Sequence, residues 1–287
     1  MLRAPAGTLR AKPGFRLLGR AVRVTLVACL ACLLLLMIFE ERFIFFPTKY
    51  DGSLDWHLDG SVYQDVYFEA DDGTRLHGWY FAHPAPRAIV LFSHGNAGNI
   101  THRLGLAQRL QRMGLAVLVF DYRGYGRSEG RPDEQGVLAD ARAARRKLAT
   151  LAGVAEREIV QMGRSLGGAV AVDLAARDGA RGLVIESTFS SMPDVAAVHY
   201  PLVPVHRFMR TRLDSLSKIV RFQGPVLQSH GDRDGIVPFH LGQRLFAGVN
   251  TDNGCFARFF TIAGGGHNDP QPDEYYRLLE HFVDALP

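Results

Sequence analysis

The longest uninterrupted apolar stretch lies near the start of the chain. Residues 24–39 read VTLVACLACLLLLMIF and contain no charged side chain. As a helix this run would span roughly 24 Å, which is short for a hydrocarbon core of about 30 Å. Ala21 and Val22 extend the run, and the Arg23 side chain is long enough to reach the interface. The pattern predicts a transmembrane helix over residues 21–39, with the aromatic cluster at 43–46 at the far boundary.

Four kinds of segment could account for this stretch. A cleaved signal peptide should end in small residues, but this run ends in Leu-Met-Ile-Phe-Glu-Glu. A lipid-modified Cys29 should be followed by polar residues, and the apolar run continues past it to Phe39. A buried core helix would fit the length but not the basic leader. An uncleaved membrane anchor therefore fits best.

Beyond residue 61, short apolar runs alternate with helical patterns. Residues 62–70 and 75–81 flank the turn Asp71-Asp72-Gly73, which predicts a hairpin. Alternating buried strands and helices predict an α/β fold with a mostly parallel sheet coated by helices on both faces. The less regular residues 187–222 are expected to form a short cap over the site. Further strands are expected over 88–93, 116–120, 158–162, 182–186, 225–229 and 257–262, and helices over 101–112, 132–151, 169–176, 239–247 and 274–286.

The charge of the chain is distributed unevenly. The 287 residues have a net charge of +4, yet residues 1–23 contain six basic residues and no acidic one. The remaining chain has 27 basic and 29 acidic residues, a net charge of −2, which excludes a basic nucleic-acid-binding body. By the positive-inside rule, residues 1–20 form a cytoplasmic leader and the body lies on the far, periplasmic or lumenal, side.

Composition and cysteine usage narrow the class further. With 47% hydrophobic residues the chain can bury a sizeable core, as one large or two small domains. Cys29 and Cys32 lie inside the apolar stretch and Cys255 lies far away, so no disulfide framework is expected. No cysteine pair has zinc-site spacing with histidine partners, and no metal is predicted.

A serine lies at the apex of a strand–turn–helix segment. The strand pattern ends in Gly163-Arg164-Ser165-Leu166-Gly167-Gly168, and a helical pattern follows at once. The G-x-S-x-G spacing in this setting is typical of a nucleophile on a sharp turn. A tight glycine-rich β–α connection without chemistry is the competing interpretation.

A nucleophilic serine needs a base, and catalytic groups in open α/β sheets follow the carboxyl ends of strands. The order Ser165, Asp234, His267 is the one that α/β-hydrolases use for nucleophile, acid and base. Asp232 remains an alternative acid on this argument, and His230 is expected to be structural. The strand-end candidates are His94, His230, His267, Asp121, Glu186, Asp232 and Asp234.

The loop after the first buried parallel strand, His94-Gly95-Asn96-Ala97-Gly98-Asn99, is the candidate oxyanion loop. The backbone N–H groups of Asn96 and Leu166 are the predicted donors. A phosphate-binding loop would need a lysine that this segment lacks. The glycines at 124, 126 and 130 miss dinucleotide spacing by one residue.

These motifs together resemble the α/β-hydrolases, specifically serine hydrolases that share five loops. The loops are HGNAGN at 94–99, DYRGYGxSxG at 121–130, GxSxGG at 163–168, HGxxDxxVP at 230–238 and GHND at 266–269. The resemblance covers roughly residues 47–285. It favours Asp234 over Asp232, because only Asp234 matches the aspartate of HGxxDxxVP, the acid loop. Relatives include membrane-anchored hydrolases and palmitoyl-protein thioesterases. The latter usually carry an N-terminal cysteine cluster where this chain has an apolar helix.

The resemblance implies a membrane-anchored serine hydrolase with its α/β-hydrolase domain over residues 47–287. It would cleave carboxylic esters or thioesters, with a small-molecule or lipid acyl ester as substrate and the lipid bilayer as partner. Neither a metal nor an organic cofactor would be required. An inactive membrane-tethered binding module and a serine peptidase are the alternatives.

Overall fold

The computed structural model describes residues 13–50, 63–251 and 254–287. Most of the expected leader and residue 62 of the first expected strand therefore lie outside the described residues. The strands are β1 (Phe46–Pro47), β2 (Gln64–Glu69), β3 (Arg75–Phe81), β4 (Ala88–Ser93), β5 (Ala97–Gly98), β6 (Leu115–Asp121), β7 (Ile159–Arg164), β8 (Gly182–Glu186), β9 (Val226–Gly231) and β10 (Ala257–Ile262). The helices are α1 (Pro13–Ile38), α2 (Glu40–Ile44), α3 (Leu104–Arg112), α4 (Glu134–Ala152), α5 (Leu166–Asp178), α6 (Met192–His199), α7 (Val205–Phe208), α8 (Leu216–Ile219), α9 (Phe239–Phe246) and α10 (Asp273–Asp284).

An eight-stranded sheet forms the centre of the body. Its order is β10-β9-β8-β7-β4-β6-β3-β2. Each neighbouring pair from β10 to β6 is parallel, whereas β3 pairs antiparallel with both β6 and β2. The hairpin predicted around Asp71-Asp72-Gly73 is the β2–β3 pair. The mostly parallel α/β fold predicted from the sequence is confirmed.

Helices cover both faces of the sheet because side chains alternate along each strand. On β4, Leu91 points into a core that includes α4 and α5. Its neighbour Phe92 points into the opposite core, where Leu110 of α3 and Tyr275 of α10 pack. All six residues of β4 are buried, as expected for a central parallel strand. This double coverage leaves the carboxyl-end edge of the sheet for functional loops.

The N-terminal helix α1 contains the one stretch among the described residues that is long and apolar enough to cross a membrane, Gly19–Ile38. None of the residues 19–38 is buried. After α1 the chain enters the body at once: Ile44 and Phe45 are buried in the core. β1 pairs with β5 in the loop that follows β4. The prediction that residues 43–46 lie together at a membrane boundary is therefore wrong for Ile44 and Phe45.

Candidate active site

Ser165 lies on the turn that joins β7 to α5. Its backbone has φ 53° and ψ −121°, a conformation that is costly for a residue with a side chain. Two contacts hold it there: its N–H donates to the Glu186 carbonyl (2.8 Å), and its carbonyl accepts from the Thr188 hydroxyl (2.8 Å). The hydroxyl therefore stands at the carboxyl end of β7, beside the positive end of α5.

The glycines around Ser165 let two backbones meet. A Cβ on Gly163 would fall on the carbonyl of Gly167, and a Cβ on Gly167 would fall on the carbonyl of Ser93 in β4. A methyl group on either residue would push the helix away from the sheet. The glycines of the serine motif are thus required by close packing as well as by the turn.

His267 and Asp234 follow the neighbouring strands β10 and β9 and meet at Ser165. The Nε2 atom of His267 lies 3.1 Å from the Ser165 hydroxyl oxygen, and its Nδ1 atom lies 2.7 Å from Oδ2 of Asp234. These partners imply that Nδ1 carries the proton and donates to the carboxylate, which leaves Nε2 as an acceptor. The structure brings together all three predicted side chains, although they are far apart in the sequence.

Asp234 is buried and heavily hydrogen-bonded. Its Oδ1 accepts from the N–H groups of Ile236 (2.9 Å) and Val237 (2.8 Å), and its Oδ2 lies 3.3 Å from Nε2 of His230. Burial opposes the charge, but the hydrogen bonds from His230 and His267 outweigh it and hold the pKa of Asp234 below its usual range. The carboxylate is therefore charged at neutral pH.

Asp232, the alternative acid, points elsewhere. Its Oδ1 accepts from the N–H of Gly264 (2.7 Å), in the glycine-rich loop that leads to His267. Its side chain is exposed. The geometry thus favours Asp234 as the partner of His267, whereas Asp232 hydrogen-bonds to the glycine-rich loop that precedes His267.

Asn96 and Leu166, the predicted oxyanion donors, both border the cavity above Ser165. Three hydrogen bonds fix Asn96. Its side-chain amide donates to the Ile44 carbonyl (3.0 Å), and its backbone carbonyl accepts from Phe46 N–H (2.9 Å) and from the Tyr125 hydroxyl (2.7 Å). Among the described residues, none accepts a hydrogen bond from the N–H of Asn96 or Leu166. Both N–H groups could therefore donate to a substrate oxygen.

Two other strand-end groups, His94 and Asp121, are buried behind the oxyanion loop. Burial and the nearby Arg103 charge lower the pKa of His94 to about 3, so its ring is neutral. Its Nδ1 lies 2.6 Å from the Gly95 carbonyl. Asp121 accepts from the N–H of Ile100 (3.0 Å). Both side chains brace the loop and neither contacts Ser165.

Arg164, to which the sequence assigned no role, hydrogen-bonds to the loop that carries His267. Its guanidinium donates to the carbonyl of His267 (2.5 Å) and to that of Asp269 (3.3 Å). His230 was likewise expected to be only structural, yet it contacts Oδ2 of Asp234. A charged residue next to the serine was the only sequence signal for Arg164, and nothing in the sequence indicated the contact of His230.

A cavity of about 530 Å³ opens above Ser165. Met192, Val195 and Ala196, from the segment expected to form a cap, line part of it. Residues of α1 and α2 also line it, a contribution that the sequence did not predict. Within the described ranges, no group of three or more His, Cys, Asp or Glu side chains is arranged to hold a metal ion.

Comparison with known proteins agrees with this architecture. A family model described as serine aminopeptidase, S33, matches residues 84–219. The esterase Pf2001 of Pyrococcus furiosus has the same fold, with a TM-score of 0.68 and 18% identity over 85% of this chain and 98% of its own.

Three relatives match most of the chain. An uncharacterized protein of Mycobacterium tuberculosis is 41% identical over 86% of this chain and 88% of its own. An uncharacterized membrane protein of Saccharomyces cerevisiae is 30% identical over 85% of this chain and 89% of its own. The alpha/beta hydrolase domain-containing protein WAV2 of Arabidopsis thaliana is 33% identical over 82% of this chain and 83% of its own. With a serine-bearing turn on a mostly parallel sheet and relatives of this similarity, the chain belongs to the α/β-hydrolase family.

Proposed function

We propose that this chain is a membrane-anchored serine hydrolase that cleaves carboxylic esters or thioesters. Ser165 is the nucleophile, His267 the general base and Asp234 the group that orients His267. The observation that carries the proposal is the continuous hydrogen-bonded chain from Asp234 through both nitrogens of His267 to the Ser165 hydroxyl, with distances of 2.7 and 3.1 Å. Such a chain activates a hydroxyl that is otherwise a weak nucleophile.

In the first half-reaction, Ser165 Oγ attacks the acyl carbon while Nε2 of His267 takes its proton. The carbonyl oxygen becomes an oxyanion, which the N–H groups of Asn96 and Leu166 stabilise. His267 then gives the proton to the leaving alcohol or thiol, and an acyl-serine ester remains. The charged Asp234 stabilises the imidazolium that exists between these two proton transfers.

In the second half-reaction, water attacks the acyl-serine ester. His267 takes a proton from the water and passes it to Ser165 Oγ as the ester bond breaks. The carboxylic acid leaves and the serine hydroxyl is restored. The chain's own residues supply every proton transfer in this cycle.

Ester cleavage is favoured over aminopeptidase activity by the lining of the cavity. An aminopeptidase needs a free acidic group to bind the substrate's ammonium. Glu40 is the one acidic residue lining the cavity among the described residues, and its carboxylate already accepts hydrogen bonds from the N–H groups of Arg210 and Thr211. The description of the matching family model keeps a peptidase as the second candidate.

The proposed organisation is a basic cytoplasmic leader (1–20), a transmembrane anchor (21–39) and a hydrolase domain (47–287) with a cap-like insertion (187–222). The apolar, unburied stretch Gly19–Ile38 supports the anchor. The yeast relative named as a membrane protein supports the same assignment.

Labelling with a fluorophosphonate probe tests the nucleophile. The full-length protein should form a covalent adduct, and Ser165→Ala should form none. Ser217→Ala, which removes an exposed hydroxyl outside the cavity, should label like the wild type. Equal labelling of the wild type and Ser165→Ala would overturn the proposal. A panel of acyl esters, thioesters and aminoacyl amides would then separate esterase, thioesterase and peptidase.

A further inference from the structure

The anchor helix forms part of the cavity that leads to Ser165. Leu33, Leu36 and Met37 of α1 line it at spacings of three and one residues, and Glu40 at the start of α2 lines it as well. This spacing places them on one face of a helix. The intervening Leu34, Leu35 and Ile38 are exposed. One face of the last turns of α1 thus contacts the cavity, while the other faces are free to contact lipid.

Hydrogen bonds fix this end of the anchor to the body. The buried carboxylate of Glu40 accepts from the backbone N–H groups of Arg210 (3.0 and 3.1 Å) and Thr211 (2.7 Å). The Arg210 guanidinium donates to the carbonyl of Met37 (3.2 Å). Because backbone groups on both sides take part, the apolar wall is held in place relative to Ser165.

The rim of the cavity beside the anchor is apolar and exposed. The segment between α6 and α7 carries Tyr200, Leu202 and Val203, and Leu202 is 95% exposed. Phe39 and Phe43, just after α1, are also exposed, and Phe43 lines the cavity. An apolar patch of this kind next to an apolar helix is typical of a membrane-contacting surface.

We propose that the cavity binds the acyl chain of an ester lipid that enters from the bilayer alongside α1. This inference rests on the proposed function and names its substrate class. Leu33 lies five residues, or about 7.5 Å, before the end of α1. With that end at the membrane surface, Leu33 would lie at the headgroup–acyl boundary. The acyl carbonyl would lie at Ser165 and the chain would lie between α1 and the cap helix α6.

Acyl-chain selectivity tests this proposal in the full-length protein reconstituted in phosphatidylcholine vesicles. The substrates are 4-nitrophenyl hexadecanoate and 4-nitrophenyl acetate. Each methylene that the cavity buries should raise kcat/KM by about fourfold. The wild type should therefore prefer the long ester strongly.

Two pairs of adjacent, chemically identical residues give matched variants. Leu36 and Ala196 line the cavity, whereas their neighbours Leu35 and Ala197 do not. Leu36→Trp and Ala196→Trp should each lower the ratio of kcat/KM for hexadecanoate to that for acetate by at least about tenfold, the effect of excluding two methylenes. Leu35→Trp and Ala197→Trp should keep the wild-type ratio.

The outcomes separate the two proposals. If the wild type labels with the fluorophosphonate and cleaves acetate but shows no preference for hexadecanoate, the acyl-chain inference fails and the hydrolase assignment survives. An unchanged ratio in both Leu36→Trp and Ala196→Trp would also overturn the inference. If the wild type neither labels nor cleaves any ester, the proposed function fails and the inference fails with it.

Discussion

The two oxygens of Asp234 have different partners. Oδ1 accepts two backbone N–H bonds, from Ile236 and Val237, which fix the plane of the carboxylate. Oδ2 is left for the imidazoles of His267 and His230. The backbone of the acid loop therefore sets the direction of the oxygen that faces His267. A side chain of the same shape but different charge should keep the first interaction and lose the second.

The substitution Asp234→Asn tests this division. If the amide oxygen keeps the backbone bonds, the NH₂ group faces His267 and can only donate, so the ring must hold its proton on Nε2. The ring then cannot accept the proton of Ser165, and kcat should fall by about 10³–10⁴-fold. Circular dichroism and the unfolding midpoint should change little.

The matched control is Asp232→Asn. Asp232 accepts from Gly264 N–H through one oxygen, and an asparagine oxygen can accept the same bond. Ester hydrolysis should stay within about threefold of the wild type, since only one exposed hydrogen bond is altered. A larger loss in Asp232→Asn than in Asp234→Asn would reverse the assignment of the acid.

The buried His94 should make the fold sensitive to acid. Its pKa is lowered to about 3 by burial, against about 6.5 in an unfolded chain. The unfolded state therefore binds the extra proton between these values, and stability falls as pH falls below about 6.5. Between about pH 7.5 and about pH 5, this one ring should lower the free energy of unfolding by about 2 kcal/mol.

Denaturant unfolding of the wild type and His94→Asn at both pH values measures this cost. The variant has no titrating ring at this position. Over the same pH range, the decrease in the free energy of unfolding should be about 2 kcal/mol smaller for the variant than for the wild type. This holds whatever the stability of the variant at neutral pH. Equal pH dependence in the two proteins would contradict a buried, neutral His94.

At the level of elements, the junction between β4, β7 and α5 tolerates no added atoms. A Cβ on Gly167 meets the carbonyl oxygens of Ser93 and His94, which belong to the strand backbone and its loop. Gly167→Ala should therefore destabilise the protein by about 3 kcal/mol or more and reduce labelling of Ser165. In α3, Gly105 has open space around it, so Gly105→Ala should leave stability equal or slightly higher. Thermal unfolding of the two variants would check this, and similar midpoints would contradict the close packing.

The sequence predicted the elements well where local pattern and tertiary environment agree. The strands at 88–93, 182–186 and 257–262 have the predicted bounds, because each is a β-branched or aromatic run between turn residues. The helix after Ser165 begins at Leu166 and not at residue 169. Glycines at 167 and 168 argue against a helix by propensity, yet tertiary contact with β4 and Thr188 requires them there.

The side chains of the candidate site could be predicted because they follow strand ends in a fixed order. Their supports could not. Arg164 reaches the carbonyl of His267, a residue about a hundred positions away, and a carbonyl partner leaves no pattern in the sequence. The burial of Ile44 and Phe45 was missed for a related reason. An apolar run after an apolar helix looks the same whether it meets lipid or a protein core.

For the whole molecule, the least predictable feature is the contact between α1 and the body. Residues 24–39 are apolar on every side, so hydrophobic periodicity cannot show which face meets protein. Only the tertiary structure separates the half-buried Leu33, Leu36 and Met37 from their exposed neighbours. In the proposed membrane-anchored hydrolase, this contact would place the opening of the cavity at the membrane end of the body, and orientation across the membrane would then decide which leaflet supplies the substrate.

The charge distribution predicts that orientation. Six basic residues precede the apolar run within residues 1–23, and the two residues directly after it, Glu40 and Glu41, are acidic. The N-terminus should therefore stay in the cytoplasm, and the body, with its cavity, should meet the outer leaflet. Protease added to sealed inverted membrane vesicles should leave the body intact, and detergent should expose it to cleavage. Protease added to spheroplasts should digest it without detergent. Digestion of the body in sealed inverted vesicles would instead put the catalytic domain, and its lipid supply, on the cytoplasmic side.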